Sequence, residues 1–356
     1  MSVPISTILY IGEDKQSSTS FHRAKALERL GHKVIFFNPY SILRESKYSR
    51  YLSPIHFRTG YRFVQKKVRS RLSSFLTHTP GIDIIWVNSG ELLGPSVLNL
   101  LKSTGKPVVL YVNDDPTGGR DGNRFLSLIR SIPLYDLCVV VRDQNVEEFR
   151  AAGAKHVMRV FMSYDEVKHA PLRPEELNTG LQSDVAFVGT WMNGEGRDTF
   201  MLTLIKAGIK VAIWGDRWEK SPHWNELQPY VRGKALAGAD YVSAIQCAKI
   251  CIGLLSKGNR DEHTQRTAEI PFIGGLFCAE RTPEHTQLLK EGVEAVYWND
   301  AAECAAACAA LLKDDKRREE IRMAGSRKIR ISGMGNENVT QRILEELSSL
   351  GLLSAK

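Results

Sequence analysis

Two acidic residues, Asp261 and Glu269, stand eight positions apart in the stretch GNRDEHTQRTAEIPFIGG, with His263 and Arg266 between them and a Gly-Gly pair at the exit. A carboxylate can accept hydrogen bonds from two neighbouring hydroxyls of a ribose or a sugar, which a hydroxyl side chain does poorly. Lys257, Arg260, His263 and Arg266 are donors suited to a phosphate. The stretch follows an apolar run at 250–255 and is expected to open a helix near Thr264, whose hydroxyl would cap its first N–H groups. The positive dipole end of that helix would add to the attraction for an anion. Residue types and spacing therefore point to a ligand with both phosphate and sugar parts. Solvated loop charges around a helix start are the plainer alternative.

The elements that must position these residues are read from the hydropathy pattern. Short apolar runs alternate with helical patterns, the signature of βα units and a mostly parallel sheet, and the pattern occurs twice. In the first half the strand candidates are 7–12, 33–38, 83–88, 107–113, 137–141 and 156–162; in the second they are 184–189, 210–214, 250–255, 275–279 and 294–298. Helices are expected between them, for example at 21–30, 144–152, 197–207, 239–248, 264–272, 283–291 and 301–312, with two further helical runs at 316–331 and 336–347. A polar stretch holding Pro171, Pro174 and Gly180 reads as a linker. The expected organisation is an N-terminal domain 1–168, a linker 169–183, a C-terminal domain 184–335, and a helix 336–356 that can pack back on the first domain. The fold class is α/β, two Rossmann-like doubly wound domains facing each other across a cleft. Ligands of such sheets bind outside the carboxyl ends of the strands.

At 356 residues, with 43% hydrophobic and 25% charged, the chain is long enough for two such cores. MSVPISTILYIG lacks a basic n-region, and no run of about 18 apolar residues occurs, so a cytoplasmic protein is expected. The six cysteines form no CxxC and fall in apolar stretches, as reduced core thiols do; no metal site or cofactor is expected. The formal net charge of +8 is local: nine basic residues between Arg44 and Arg71 face Glu45 alone. Within this segment Val64, Val68, Leu72 and Phe75 recur at helical spacing, so the pattern is either a surface helix with a wet basic face or a contact for an anionic membrane or polymer. No nucleic-acid-binding motif accompanies it, and nucleic acid is not an expected partner.

Asp261 with Glu269 resembles the Glu-x7-Glu motif of retaining GT-B glycosyltransferases, with Asp in the first place. The wider pattern of DVAFVGTW, GLLSKGNRDEHTQRTAEIPFIGGLFCAERTPEH and EGVEAVYW is similar to the spore-maturation, CgeB-like glycosyltransferase family, from Asp184 to the C-terminus. The resemblance implies the GT-B fold, a nucleotide-sugar donor held mostly by the C-terminal domain, an acceptor held by the N-terminal one, and no obligatory metal. It implies that Glu269 binds the donor's ribose or sugar hydroxyls and that Asp261 contacts the sugar; with His263 these are the catalytic candidates.

Other loops supply further candidates. GTWMNGEGRD follows the strand at 184–189 and suits a diphosphate, with Gly189 and Thr190 at its start, Trp191 as a cover for a base or a packing residue, and Arg197 opening a helix. GDRW, with Asp216, Arg217 and Trp218, ranks lower. At another strand-to-helix turn Glu280 and Arg281 precede Thr282, an expected cap. On the acceptor side lie Gly12, Glu13, Asp14 and His22 after the first strand, and Asp114 and Asp115 in YVNDDPTGG. Asp14, His22, Asp114 or Asp115 is placed to act as a general base in an inverting transfer, although Asp-Asp-Pro is also an ordinary turn. The expected activity is transfer of a sugar from a nucleoside diphosphate to an acceptor hydroxyl on a glycan, lipid-linked glycan or protein, with retention. The alternatives are a sugar-nucleotide epimerase of the same architecture and a non-catalytic sugar-nucleotide-binding protein.

Overall fold

The structure, a computed structural model, describes residues 4–45 and 49–353, so Lys47 of the basic segment lies outside the described residues, as does the side chain of Arg50. The chain divides into two compact units. Unit 1 comprises residues 1–161, 258–260 and 336–356, and unit 2 comprises 162–257 and 261–335.

Unit 1 is built from β1 (Thr7–Ile11), α1 (Thr19–Arg29), β2 (Lys33–Phe37), α2 (Ser41–Arg44), α3 (Ser49–Arg58), α4 (Gln65–Thr77), β3 (Ile84–Asn88) and α5 (Pro95–Lys102). It continues through β4 (Val108–Val112), α6 (Leu126–Ile129), β5 (Leu137–Val140), α7 (Asp143–Ala151) and β6 (Val157–Arg159). The six strands are parallel in the order β2-β1-β3-β4-β5-β6. IIWVN and VVLYV are buried at every position, as strands covered by helices on both faces must be. On one face Leu9, Val87 and Leu110 pack with Val68 and Leu72 of α4, the helix read from its apolar spacing.

Unit 2 runs through β7 (Ser183–Val188), α8 (Arg197–Lys206), β8 (Val211–Trp214), α9 (Trp224–Leu227), β9 (Val231–Gly233), α10 (Gly238–Gln246) and β10 (Ala248–Gly253). Then follow α11 (Gln265–Ile273), β11 (Phe277–Glu280), α12 (Pro283–Leu288), β12 (Val296–Trp298), α13 (Ala301–Leu311) and α14 (Asp315–Arg330). Its parallel order is β12-β11-β10-β7-β8-β9. The chain leaves β7 toward β8 and β9, then returns to build β10, β11 and β12 on the other side. The strand order therefore reverses between β7 and β10, and the loops after these two strands diverge there.

Two differences from the sequence reading have local causes. β9 escapes the hydropathy pattern because it is three residues, VRG, with an exposed arginine at its centre. Residues 169–183, expected as a linker, are part of unit 2, since the Leu172 N–H donates to Gln246 Oε1 at 2.7 Å and the Asn178 N–H to Ser243 Oγ at 3.1 Å.

The last helix, α15 (Asn336–Ser349), packs on α1 within unit 1. Val339, Ile343, Leu344 and Leu347 are fully buried in it, so α15 is a structural part of unit 1. Leu344→Ala is expected to destabilise the protein by about 3 kcal/mol, the usual cost of emptying a buried leucine site, measured by denaturant unfolding.

Candidate functional site

The loops after β7 and β10 hold most of the donor candidates, and unit 2 ties these loops together. Arg197 Nη1 donates to the Thr190 carbonyl at 2.8 Å and Nη2 to the Leu255 carbonyl at 3.2 Å. Glu195 accepts from Ser256 Oγ at 3.1 Å and from the Lys257 N–H at 2.8 Å. Close approach on the β8 side requires glycine, because a Cβ on Gly215 would stand 1.9 Å from the Gly189 carbonyl oxygen. Arg197 thus braces the two loops rather than extending toward a ligand. Of the two readings of Trp191, the structure has the packing residue: its ring packs among Phe187, Met201 and Trp218, and its indole N–H donates to Asp198 Oδ2 at 2.9 Å.

α11 starts as its sequence requires. Thr264 Oγ1 accepts from the Arg266 N–H at 3.2 Å, and Thr267 Oγ1 accepts from the Thr264 N–H at 3.1 Å. One turn on, Glu269 is only 2% exposed. Its carboxylate accepts from the Tyr241 hydroxyl of α10 at 2.8 Å and from the Arg266 guanidinium, while His169 Nε2 stands 3.6 Å away. Arg266 also lies over the Tyr241 ring, 4.4 Å from its centroid. Burial alone would push the Glu269 carboxyl up, but Arg266, His169 and the Tyr241 hydroxyl together hold it below the usual range, so it is ionised. The same surroundings push the Tyr241 hydroxyl far up, chiefly by burial, and it stays a neutral donor. Arg266, half-buried, is therefore fixed in place by a carboxylate and a ring, with its charge at the first turn of a helix.

The segment before α11 is fixed as firmly. His263 is 1% exposed; its Nε2 accepts from the Met162 N–H at 2.9 Å, so its Nδ1–H donates to Glu284. His263 is corrected from a phosphate donor to a buried pivot, because both ring nitrogens are engaged inside unit 2. Asp261 is half-buried, its N–H donating to the Ser256 carbonyl at 3.2 Å. A second histidine continues the network: the Thr267 hydroxyl meets His285 Nε2 at 2.9 Å and His285 Nδ1 donates to the Glu280 carbonyl at 2.7 Å. Thr282 caps α12, accepting from the His285 N–H at 3.0 Å, and donates to the Glu262 carbonyl at 2.5 Å. Lys257 is exposed, with Nζ 3.9 Å from Glu280, whereas Arg281 pairs with Glu291 at 2.5 Å.

The acceptor candidates lie in unit 1. Asp115 is closed to proton transfer by its neighbours: Arg260 Nε and Nη2 grip it at 2.6 and 2.9 Å, and Asn145 Nδ2 and the Gly118 N–H donate at 2.9 and 3.0 Å. Burial opposes ionisation, yet these donors bring its carboxyl down to about 2, which removes it as a general base. Arg260, expected on a phosphate, is instead the partner of Asp115 and Glu148. Asp114 pairs with Arg124 at 3.2 Å. Glu13 meets Arg44 at 3.1 Å, Asp14 accepts from Asn38 Nδ2 at 2.6 Å, and His22 is buried with Nε2 3.0 Å from the Gln16 carbonyl.

Tyr241, His169, Glu195 and Glu284 were not singled out by sequence, since each acts through a contact made only on folding. Cys278, Cys304 and Cys308, read from the sequence as core thiols, have their sulfur atoms within 4.8 Å of one another in the core of unit 2, a set that could hold a soft metal ion. Cys304 and Cys308 share a face of α13, but nothing in the spacing brings Cys278 to them.

Residues 197–345 match the family described as Glycosyl transferase-like, a span that includes both loops' helices and Tyr241, Arg266 and Glu269, but not His169. Over the whole chain the protein is similar to Anabaena HepE, solved in complex with UDP and glucose: TM-score 0.67, 13% identity, covering 97% of this chain and 100% of that one. The fold is GT-B. Sucrose-phosphate synthase from Thermosynechococcus elongatus shares it at TM-score 0.68 and 13% identity, over 97% of this chain and 99% of that one. So does a trehalose 6-phosphate synthase from Burkholderia multivorans, at TM-score 0.62 and 13% identity, over 99% and 100%. Among curated proteins, none matches the chain.

His285 gives the site a pH signature. Burial lowers it to about 4, below the ordinary value of 6.5, so it is neutral in the folded GT-B chain. Between those values the unfolded chain binds the extra proton, and stability rises with pH. The contribution, about 3 kcal/mol, is complete above pH 6.5 and lost as pH falls toward 4. Unfolding measured at pH 7 and pH 4.5 is expected to show this loss, and His285→Asn to flatten it.

Proposed function

We propose that the protein transfers a sugar from a nucleoside-diphosphate sugar to an acceptor hydroxyl, with the donor at the carboxyl ends of β7 and β10. The observation that carries the reading is the ionised Glu269 holding Arg266 at the start of α11, within the span that matches the glycosyltransferase-like family. Arg266, Lys257 and the N–H groups that open α8 and α11 meet the charge that grows on the leaving diphosphate, the electrostatic part of the catalysis. Glu269 takes the ribose or sugar hydroxyls in exchange for one of its present partners, and Asp261 faces the sugar. The base is uracil in this reading, since HepE was solved with UDP and with UDP-glucose. Transfer with retention, suggested by the Asp-x7-Glu pattern, and a place in the CgeB-like branch with no metal requirement, suggested by the wider resemblance, complete the proposal.

The acceptor is a glycan, lipid-linked glycan or protein. No helix among the described residues is long and apolar enough to cross a membrane. The exposed Arg58, Arg62, Lys66, Arg69 and Arg71, with exposed Tyr51, Ile55 and Phe63 beside them, suit a peripheral contact with anionic lipid from the cytoplasmic side.

The test is turnover with product analysis on UDP-sugars offered with glycan acceptors. Glu269→Gln keeps the volume and the Tyr241 contact but releases Arg266; it is expected to lower turnover by about 100-fold or more while the melting temperature stays near wild type. An active Glu269→Gln enzyme contradicts the assignment. Products that are isomerised nucleotide sugars without acceptor would point to an epimerase, and binding without any turnover to a non-catalytic protein.

A further inference from the structure

Unit 1 contains a buried cation without a counter-ion. Arg23, on the sheet-facing side of α1, is 1% exposed. Its guanidinium donates from Nη1 to Asn88 Oδ1 at 2.5 Å, interacts with the Tyr10 hydroxyl and lies 3.6 Å over the ring of Tyr111. Among the described residues no carboxylate pairs with it, and Nε has no partner. The contrast with Arg260, gripped by two carboxylates in the same unit, is complete. A buried guanidinium whose donors are mostly unmet is a costly arrangement unless an anion completes it.

Its neighbours share the deficit. Ser20 Oγ and Tyr111 Oη are buried and unpartnered. Tyr10 Oη donates to the Ser20 carbonyl at 2.8 Å and stands 3.2 Å from Asn88 Oδ1, so Asn88 joins these groups into one cluster. The cluster sits where β1 and β3 end. The chain leaves β1 toward β2 and later returns to place β3 on the other side, so this is the switch point of the unit 1 sheet, where open α/β sheets bind ligands. Gly12 follows β1 here; a Cβ on it would meet Ser20 Oγ at 2.5 Å and the Tyr10 ring at 2.9 Å. Residues 14–17, in the loop from β1 to α1 beside the cluster, are exposed.

We propose that this cluster is an oxyanion subsite, with Arg23 as its cation and the Ser20 and Tyr111 hydroxyls as donors, and that it takes a phosphate group carried by the acceptor. The guanidinium fork suits a tetrahedral oxyanion, and neutral hydroxyl donors add directionality. The assignment to the acceptor rests on the transferase reading; the subsite itself does not.

Calorimetric titration of the full chain with inorganic phosphate and with a hexose phosphate tests it, on wild type, Tyr111→Phe and Arg23→Met. Tyr111→Phe keeps the ring under the guanidinium and removes only the hydroxyl, so it is expected to fold and to bind about tenfold more weakly, as does the neutral Arg23→Met if it folds. Phosphate is expected to bind as well with UDP saturating the protein as without it, which separates this subsite from the donor site. Hexose phosphate is expected to bind more tightly than inorganic phosphate; equal affinity overturns the acceptor assignment and leaves a site for free phosphate. No phosphate binding by wild type, or unchanged affinity in Tyr111→Phe, overturns the subsite. A nucleoside diphosphate titrated in parallel tells the two readings apart: its heat without phosphate heat sinks only the subsite, and the reverse sinks only the donor reading.

Discussion

A carboxylate at 2% exposure must be compensated or neutralised, and the way unit 2 compensates Glu269 organises everything around it. Tyr241 reaches it from α10, Arg266 from one turn earlier on α11, and His169 from the segment that enters unit 2. Because all three lower the cost of ionisation, the carboxylate keeps its charge, and that charge fixes a guanidinium at the start of a helix. The helix start is in turn held by the Thr264, Thr267 and His285 chain of hydrogen bonds, which runs back to the end of β11. A preorganised cation at the positive end of a helix is the kind of arrangement that stabilises developing negative charge without reorganising as it forms.

The same physics sorts the charges of unit 1. Arg260 and Asp115 satisfy each other so fully that the acid is brought down to about 2, and neither is left available for chemistry. Arg23 is the opposite case, a cation enclosed by aromatic rings and one amide. Where a fold leaves such a charge unmatched, the missing partner is the informative part. Arg23 lies where the strand order of unit 1 reverses, and the Arg197 and Glu195 contacts lie where that of unit 2 does, a consequence of parallel topology rather than of particular side chains.

Much of this was legible in the sequence because it is local. The caps at Thr264 and Thr282 depend on contacts two or three residues away. The strands of both sheets are continuous apolar runs, and only the three-residue β9, with its exposed Arg232, fell below that signal. Glu269 and Arg266 were picked out separately, yet their i,i+3 spacing already allowed the pairing that the structure shows. What stayed hidden depends on long-range contacts or on orientation. Arg260 finds Asp115 across 145 positions and Tyr241 finds Glu269 across 28. Trp191 has the composition of a ligand cover and the environment of a core residue, and only the direction of its ring decides between them. His263 likewise looks like a donor in a basic loop until Met162 and Glu284 are seen to engage both its nitrogens.

The central claim is that a nucleoside diphosphate binds at the strand reversal of unit 2, beside Arg266 and Glu269. Amide hydrogen exchange with and without saturating UDP, GDP or TDP tests it where it is most exposed. The account predicts that UDP slows exchange at the loops following β7 and β10 and in the first turn of α11. Exchange in those segments that none of the three nucleotides changes, or protection confined to another part of the chain, would contradict it.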